Sequence, residues 1–160
     1  MQLTIVAVGR LKSGPERELI ERYRGLLGGL GRACSFKPAN IIELPEGRAS
    51  QPALRQQDEA QRLLAASSEA GLRVLLDERG TQMTSQQLSD FLASERDSGT
   101  REIAFLIGGA DGHADAARAK ADKTMSLSRL TLPHGLARIL LAEQLYRAVT
   151  ILAGHPYHRS

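Results

Sequence analysis

Short, mostly apolar runs rich in β-branched residues recur along this chain. Each is separated from the next by a segment of helical length. Residues 3–8, 36–44, 72–77 and 102–107 read as strands. Residues 15–27, 53–70, 86–98 and 136–153 read as helices, with a shorter one at 113–122 and one or two extended pieces within 124–132. Strands alternating with helices of more than about ten residues predict an α/β fold with a mostly parallel sheet flanked by helices. Local punctuation agrees. Gly9 ends the first run, and Pro15 with Glu16 and Glu18 suits a helix start. Gly28-Gly29 is expected to stop that helix, Pro45 to end the second strand, and Gly71 and Gly99 to close the next two helices. With no repeat, low-complexity tract or shift in composition across 160 residues, one domain spanning 1–160 is expected.

Composition removes several classes. Aromatic residues make up 4% of the chain and Trp is absent, which argues against a single-strand-binding platform of stacked aromatics. The single cysteine, Cys34, excludes an intrachain disulfide and reads as filler. No apolar run reaches the roughly 18 residues of a membrane span, and no leader pattern appears, so no membrane partner and a cytoplasmic location are expected. Charge is distributed unevenly. Residues 1–112 carry 14 Lys/Arg against 15 Asp/Glu, whereas residues 113–160 carry 7 against 3 together with all four histidines. That asymmetry fits a polyanion-facing surface or an ordinary solvated one.

Four segments could carry chemistry. Ile107-Gly108-Gly109-Ala110-Asp111-Gly112 follows a strand and precedes a helix, where parallel sheets form ligand crevices and glycine lets backbone approach a ligand. It matches neither the dinucleotide fingerprint nor the phosphate loop. Leu76 ends another strand and could wall a flat ring in the same crevice. Residues 126–132 alternate apolar and polar before Pro133, and unpaired backbone there could bond an adenine edge; a plain edge strand is the other reading. Finally, His134, Tyr146 and Arg147 flank or ride the last helix, ahead of the tail His155-Pro156-Tyr157-His158-Arg159. No acid or Cys joins His155 and His158 at ligand spacing, so no metal is expected. Arg147 and Arg159 could hold phosphates, and His158 or Tyr157 could orient or deprotonate a base. The last helix is apolar on more than one stripe, which predicts cover on several sides, with a twofold homodimer as one source and the chain's own core as the other.

Taken in order, Leu-Thr-Ile-Val-Ala-Val-Gly, Leu-Ile-Gly-Gly-x-x-Gly, Leu-Ser-x-Leu-Thr-Leu-Pro-His, Glu-Gln-Leu-Tyr-Arg-Ala and the terminal Tyr-His-Arg resemble the bacterial ribosomal RNA large-subunit methyltransferase H family, of the SPOUT class. The resemblance spans essentially the whole chain. It implies a C-terminal trefoil knot, which nothing in the periodicity shows and which general topology rules disfavour. It also implies a homodimer, S-adenosylmethionine (SAM) as methyl donor, and methylation of N3 of a pseudouridine in 23S rRNA within the 70S ribosome. Carried over by position, the cofactor would meet Leu76, Gly108, Leu127, Ser128, Arg129, Leu130, Thr131 and Leu132. His158, Tyr157 and Arg147 become catalytic candidates, and Arg159, His158 and Tyr157 RNA-side residues. His134 competes for the role of base. A non-catalytic ribosome-binding or assembly factor with the same fold is the alternative.

Overall fold

The computed structural model describes residues 1–158. Five strands form one parallel sheet: β1 (Gln2–Val8), β2 (Asn40–Leu44), β3 (Leu72–Gln82), β4 (Glu102–Ile107) and β5 (Lys123–Ser126), in the order β2-β1-β4-β3-β5. Five α-helices join and cover them: α1 (Pro15–Gly31), α2 (Pro52–Ala66), α3 (Ser85–Asp97), α4 (Asp115–Lys120) and α5 (His134–Leu152).

Both faces of the sheet are covered, which is why β1 and β4 read as continuous apolar runs rather than alternating ones. Leu3, Ile5 and Ala7 of β1 face a core shared with Ile20, Leu92, Leu141 and Leu145, from α1, α3 and α5. Val6 and Val8 point the other way, toward Ala60 and Leu63 of α2 and Ala117 of α4. The α3 start is fixed by a reciprocal cap, in which Thr84 accepts from the Gln87 N–H and Gln87 accepts from the Thr84 N–H.

Several boundaries differ from the sequence expectation. Gly28 and Gly29 do not end α1, which runs to Gly31. Gly28 is there for proximity: a Cβ on it would sit 3.2 Å from the Pro38 side chain. Residues 36–39 are not strand, although Phe36 is buried, and β2 starts at Asn40. The third strand continues past Asp77 to Gln82 through an irregularity between Leu76 and Thr81. The extended region after α4 is only Lys123–Ser126, α4 is shorter than expected, and α5 begins two residues early at His134.

The sheet order sets the path of the C-terminal segment. β5 lies at one edge, beside β3. α5 starts near the end of β1, where a Cβ on Gly9 would lie 3.7 Å from the His134 ring. Residues 127–133 therefore cross the C-terminal ends of β3 and β4. The all-round apolar α5 packs against α1 and α3 of its own chain, and the buried Ser89 hydroxyl donates to the Ala148 carbonyl at 3.0 Å. Much of the cover that the sequence left open to a partner is thus supplied in cis. Within α5, Arg138 is 0% exposed. Its guanidinium donates to Glu43 (2.6 Å) and to the carbonyls of Val8 and Gly9 (3.2 and 3.1 Å), pinning α5 to the end of β1.

Candidate functional site

The C-terminal ends of β4 and β5, with the irregular stretch of β3 after Leu76, open onto a cavity of about 750 Å³. Residues 76–79, residues 107–116 and the crossing segment with Leu127, Ser128, Leu130, Thr131 and Leu132 form most of its wall, joined by Ala53, Gln56 and Gln57 of α2, by Arg118 and by Ala137. The volume lies within the range of small-molecule sites, roughly 300–1,000 Å³. Leu76, Ile107, Leu127 and Leu132 give it apolar surface. Among the described residues, the backbone of 129–132 makes no hydrogen bond to other backbone; the Leu130 N–H takes the Ser128 hydroxyl (3.0 Å). Peptide groups at the cavity wall are thus left with spare bonding capacity, as a ligand requires.

Of the residues expected to meet a cofactor, Leu76, Gly108, Leu127, Ser128, Leu130, Thr131 and Leu132 line this one cavity. Arg129 is exposed and is not among the lining residues.

Sequence reading missed the side chains that hold the walls together. His113 is 6% exposed, and its Nε2 lies 2.9 Å from the Leu76 carbonyl, so it ties the glycine loop to β3 just before that strand's irregular stretch. Burial pushes its pKa below the ordinary histidine value, against the opposing pull of the Leu76 bond and of Asp77. The neutral ring that results donates from Nε2, which leaves Nδ1 as an acceptor. Gly108 is required under this ring, since a Cβ there would lie 3.0 Å from His113 Cε1 and 3.2 Å from the Gly112 carbonyl. Arg118 donates to Asp77 through Nε (3.0 Å), with Nη2 also 2.9 Å from it, and to the His113 carbonyl (2.7 Å). Burial opposes ionisation of Asp77, but the Arg79 N–H and the Arg118 guanidinium outweigh it and hold the carboxyl below its usual range. Arg55 of α2 clasps Asp111 with Nε and Nη2 at 2.7 and 3.1 Å, and this pairing lowers the Asp111 pKa. Asp77, His113 and Asp111 belong to segments already singled out; their partners, tens of residues away, carry no local signal.

Tyr157 and Arg147 lie elsewhere in a single chain. They border a second, largely apolar groove with Leu19, Tyr23, Leu136, Ile139 and Leu140. Arg147 pairs with Glu143 (2.7 Å), Tyr157 donates to the same carboxylate (3.1 Å), and the Arg147 guanidinium lies 5.1 Å from the Tyr157 ring centre. Burial, with the bonds to Tyr23 and Glu143, pushes the Tyr157 phenol up to about 12. In this arrangement the phenol stays protonated near neutral pH. His158 follows at the end of the described residues, and Arg159 lies outside them. Leu132 borders both hollows, so the groove and the cavity adjoin. His134 sits at the α5 start, with Nε2 4.0 Å from Glu46. No group of three or more metal-binding side chains occurs among the described residues, and no helix there is long and apolar enough to cross a membrane.

A parallel α/β sheet with a glycine-loop cavity and a crossing segment over its C-terminal end is the setting of a SPOUT methyltransferase. The family model described as predicted SPOUT methyltransferase matches residues 1–158, and the chain belongs to that family. More narrowly, it is 48% identical over 160 residues, all of both chains, to the ribosomal RNA large subunit methyltransferase H of Brucella anthropi. It is 49% identical to the protein of that name from Chelativorans sp., across 99% of this chain and 91% of the relative. Its place is therefore among the ribosomal RNA large subunit methyltransferase H proteins. In fold it is similar to a probable methylase family protein from Haemophilus influenzae, with a TM-score of 0.53 at 10% identity, covering 99% of this chain and 70% of that one.

Proposed function

We propose that this chain, acting as one domain over residues 1–160, transfers a methyl group from SAM to N3 of a pseudouridine in 23S rRNA, in the cytoplasm, with the assembled 70S ribosome as substrate. One observation carries the reading: seven of the eight positions assigned to the cofactor, scattered over three segments, converge on the same cavity. The cavity fits SAM in kind. Its leucine side chains suit an adenine face, its spare peptide groups suit an adenine edge, and Gly108 keeps the backbone accessible. When bound, SAM supplies an electrophilic methyl on a sulfonium. The protein's part is to hold donor and acceptor in line, which accounts for much of the acceleration available to such a transfer.

The uracil-type N3 carries a proton at neutral pH, so a base must remove it. His158, with Tyr157 and Arg147 positioning the RNA, is our candidate set, and Arg159 extends it toward phosphate. In one chain Tyr157 and Arg147 border the neighbouring groove, so the reading includes a homodimer in which one subunit's tail completes the other's cavity. The exposed leucines Leu19 and Leu136, beside that groove, suit such a contact. The reading also includes the trefoil knot, supported by the passage of residues 127–133 over the ends of β3 and β4.

The test is incorporation of labelled methyl from SAM into ribosomes lacking the modification, with the methylated nucleoside located in 23S rRNA. A folded, SAM-saturated sample that transfers nothing to 70S particles refutes it. Calorimetric silence with SAM would leave the non-catalytic assembly factor in its place.

A further inference from the structure

The polar loop 45–51 has no role in the reading above, yet it is fastened to the cavity through α2. Arg55 reaches in two directions. Its Nε and Nη2 clasp Asp111 of the glycine loop, while Nη1 donates to the carbonyls of Ala49 and Ser50, each at 2.9 Å. One helical position later, Gln56 Nε2 donates to the Asp111 carbonyl at 2.5 Å. One turn further on, Glu59 is only 4% exposed. Its Oε1 accepts from the Gly47 N–H (2.8 Å), and its Oε2 has no hydrogen-bond partner among the described residues. That oxygen lies against Gly109: a Cβ there would approach it to 2.7 Å. Three side chains on one face of α2 thus meet the glycine loop at two residues, Asp111 and Gly109.

We infer that Arg55 and Glu59 are positioning residues for the cofactor: from α2 they set the glycine loop's height over the sheet, and so the depth of the cavity. Helix α2 is the rigid member of the pair, being buried through Ala60 and Leu63. The glycine loop has little hold of its own, with one short bridge between Gly109 and Gly112 and a positive φ of 78° at Gly112. A loop with few bonds of its own, bordered by a packed helix, takes its position from the helix. A bidentate guanidinium–carboxylate pair supplies direction as well as attraction, which a single point charge does not. The oxygen of Glu59 limits how far the loop can sink, because nothing larger than the Gly109 hydrogen fits above it. Neither side chain needs to touch the cofactor; Gln56 is the α2 member of the trio that borders the cavity.

The inference rests on the SAM reading of the cavity, and the experiment separates the two. SAM affinity is measured by calorimetry, and KM and kcat by methyl transfer to ribosomes, for the wild type, Arg55→Ala, Arg55→Lys, Asp111→Asn and the double variant Arg55→Ala/Asp111→Asn. Removing either partner is expected to raise the SAM Kd and KM about tenfold, with kcat at saturating SAM changed by no more than about twofold. The double variant should be no worse than either single one, and Lys should restore only part of the loss. Circular dichroism melts confirm folding, and Asp111→Asn, at a part-exposed position, serves if Arg55→Ala does not fold. Folded variants that bind SAM as the wild type does, or single effects that add in full, overturn the positioning role. A wild type that binds no SAM overturns the cofactor reading itself, and this inference with it.

Discussion

Gly108 is the position where space, loop geometry and cofactor access meet, so its substitution is the sharpest test of the cavity. A methyl at Gly108 would lie 3.0 and 3.1 Å from Cε1 and Nδ1 of His113 and 3.2 Å from the Gly112 carbonyl. These distances are several tenths of an ångström below ordinary contact. His113 cannot retreat freely, because it is buried and its Nε2 is engaged with Leu76 at 2.9 Å. Gly108→Ala should therefore act as overpacking, costing about 2 kcal/mol. For a chain of this size that is a melting temperature lower by about 4–8 °C. Because the loop must move to admit the methyl, SAM affinity should fall at least about tenfold, and Gly108→Val should abolish it. His113→Ala removes the ring that the methyl strikes, so the double variant should lose less stability than the two single losses added together. Calorimetry and thermal denaturation on the same samples read both effects. A Gly108→Ala protein that melts and binds SAM like the wild type would refute the steric argument and reduce the loop to a turn.

Arg138→Met should destabilise by about 3 kcal/mol in denaturant titrations, the low end for opening a buried pair, because Glu43 keeps its bonds to Arg17 and the Leu11 N–H; an unchanged midpoint would show that the pair contributes nothing. Burial depresses the His113 pKa, so the unfolded chain takes up this proton first as pH falls: stability should decline from about pH 6.5 down to the depressed folded value, and His113→Gln should flatten that part of the profile. Truncation after Gly154 should spare SAM binding and lose methyl transfer, and full activity on ribosomes would exclude the tail from the site. Leu136, 49% exposed on the groove, should when changed to Glu convert a sedimenting dimer into monomers that bind SAM but do not methylate; a wild type already monomeric at micromolar concentration would refute the dimer.

The features legible in the sequence are those written in local order. Alternating apolar runs and helical segments specify a parallel sheet whatever lies between them, and segments 107–112 and 126–132 could be singled out because a glycine run at a strand end and an apolar–polar alternation before Pro133 leave a local mark; the assignment of Gly108 and 127–132 to the cofactor comes with the family resemblance. Long-range pairing leaves none. Nothing near Arg138 announces a buried guanidinium: among apolar α5 positions it reads as an interruption, and only the β1 carbonyls and Glu43 explain it. Gly28 shows the opposite failure, a helix-stop signal in sequence that is a close-approach residue in space, overridden because α1 must pass Pro38. The charge count also misleads in part. The positive excess of residues 113–160 includes Arg118 and Arg138, each committed to a carboxylate within the fold, so the cations left to meet RNA are fewer than the tally suggests.

Those pairings bear on the chemistry as well. Four carboxylates line the cavity, Asp77, Glu78, Asp111 and Asp115. Asp77 and Asp115 are held by Arg118 and Asp111 by Arg55, which leaves Glu78 without an ion-pair partner among the described residues. A methyl transfer from a sulfonium discharges the positive sulfur as it proceeds. A bare carboxylate facing that sulfur would favour the reactant over the transition state and so slow the reaction, since only interactions that strengthen toward the transition state accelerate it. Pairing Asp77 and Asp115 with Arg118, itself on the cavity wall, keeps that side polar enough to hold its shape without stabilising the starting charge. Arg118 therefore serves two ends: it ties Asp77 to the His113 carbonyl, and it offsets negative charge that would otherwise bind the donor too well in its unreacted form.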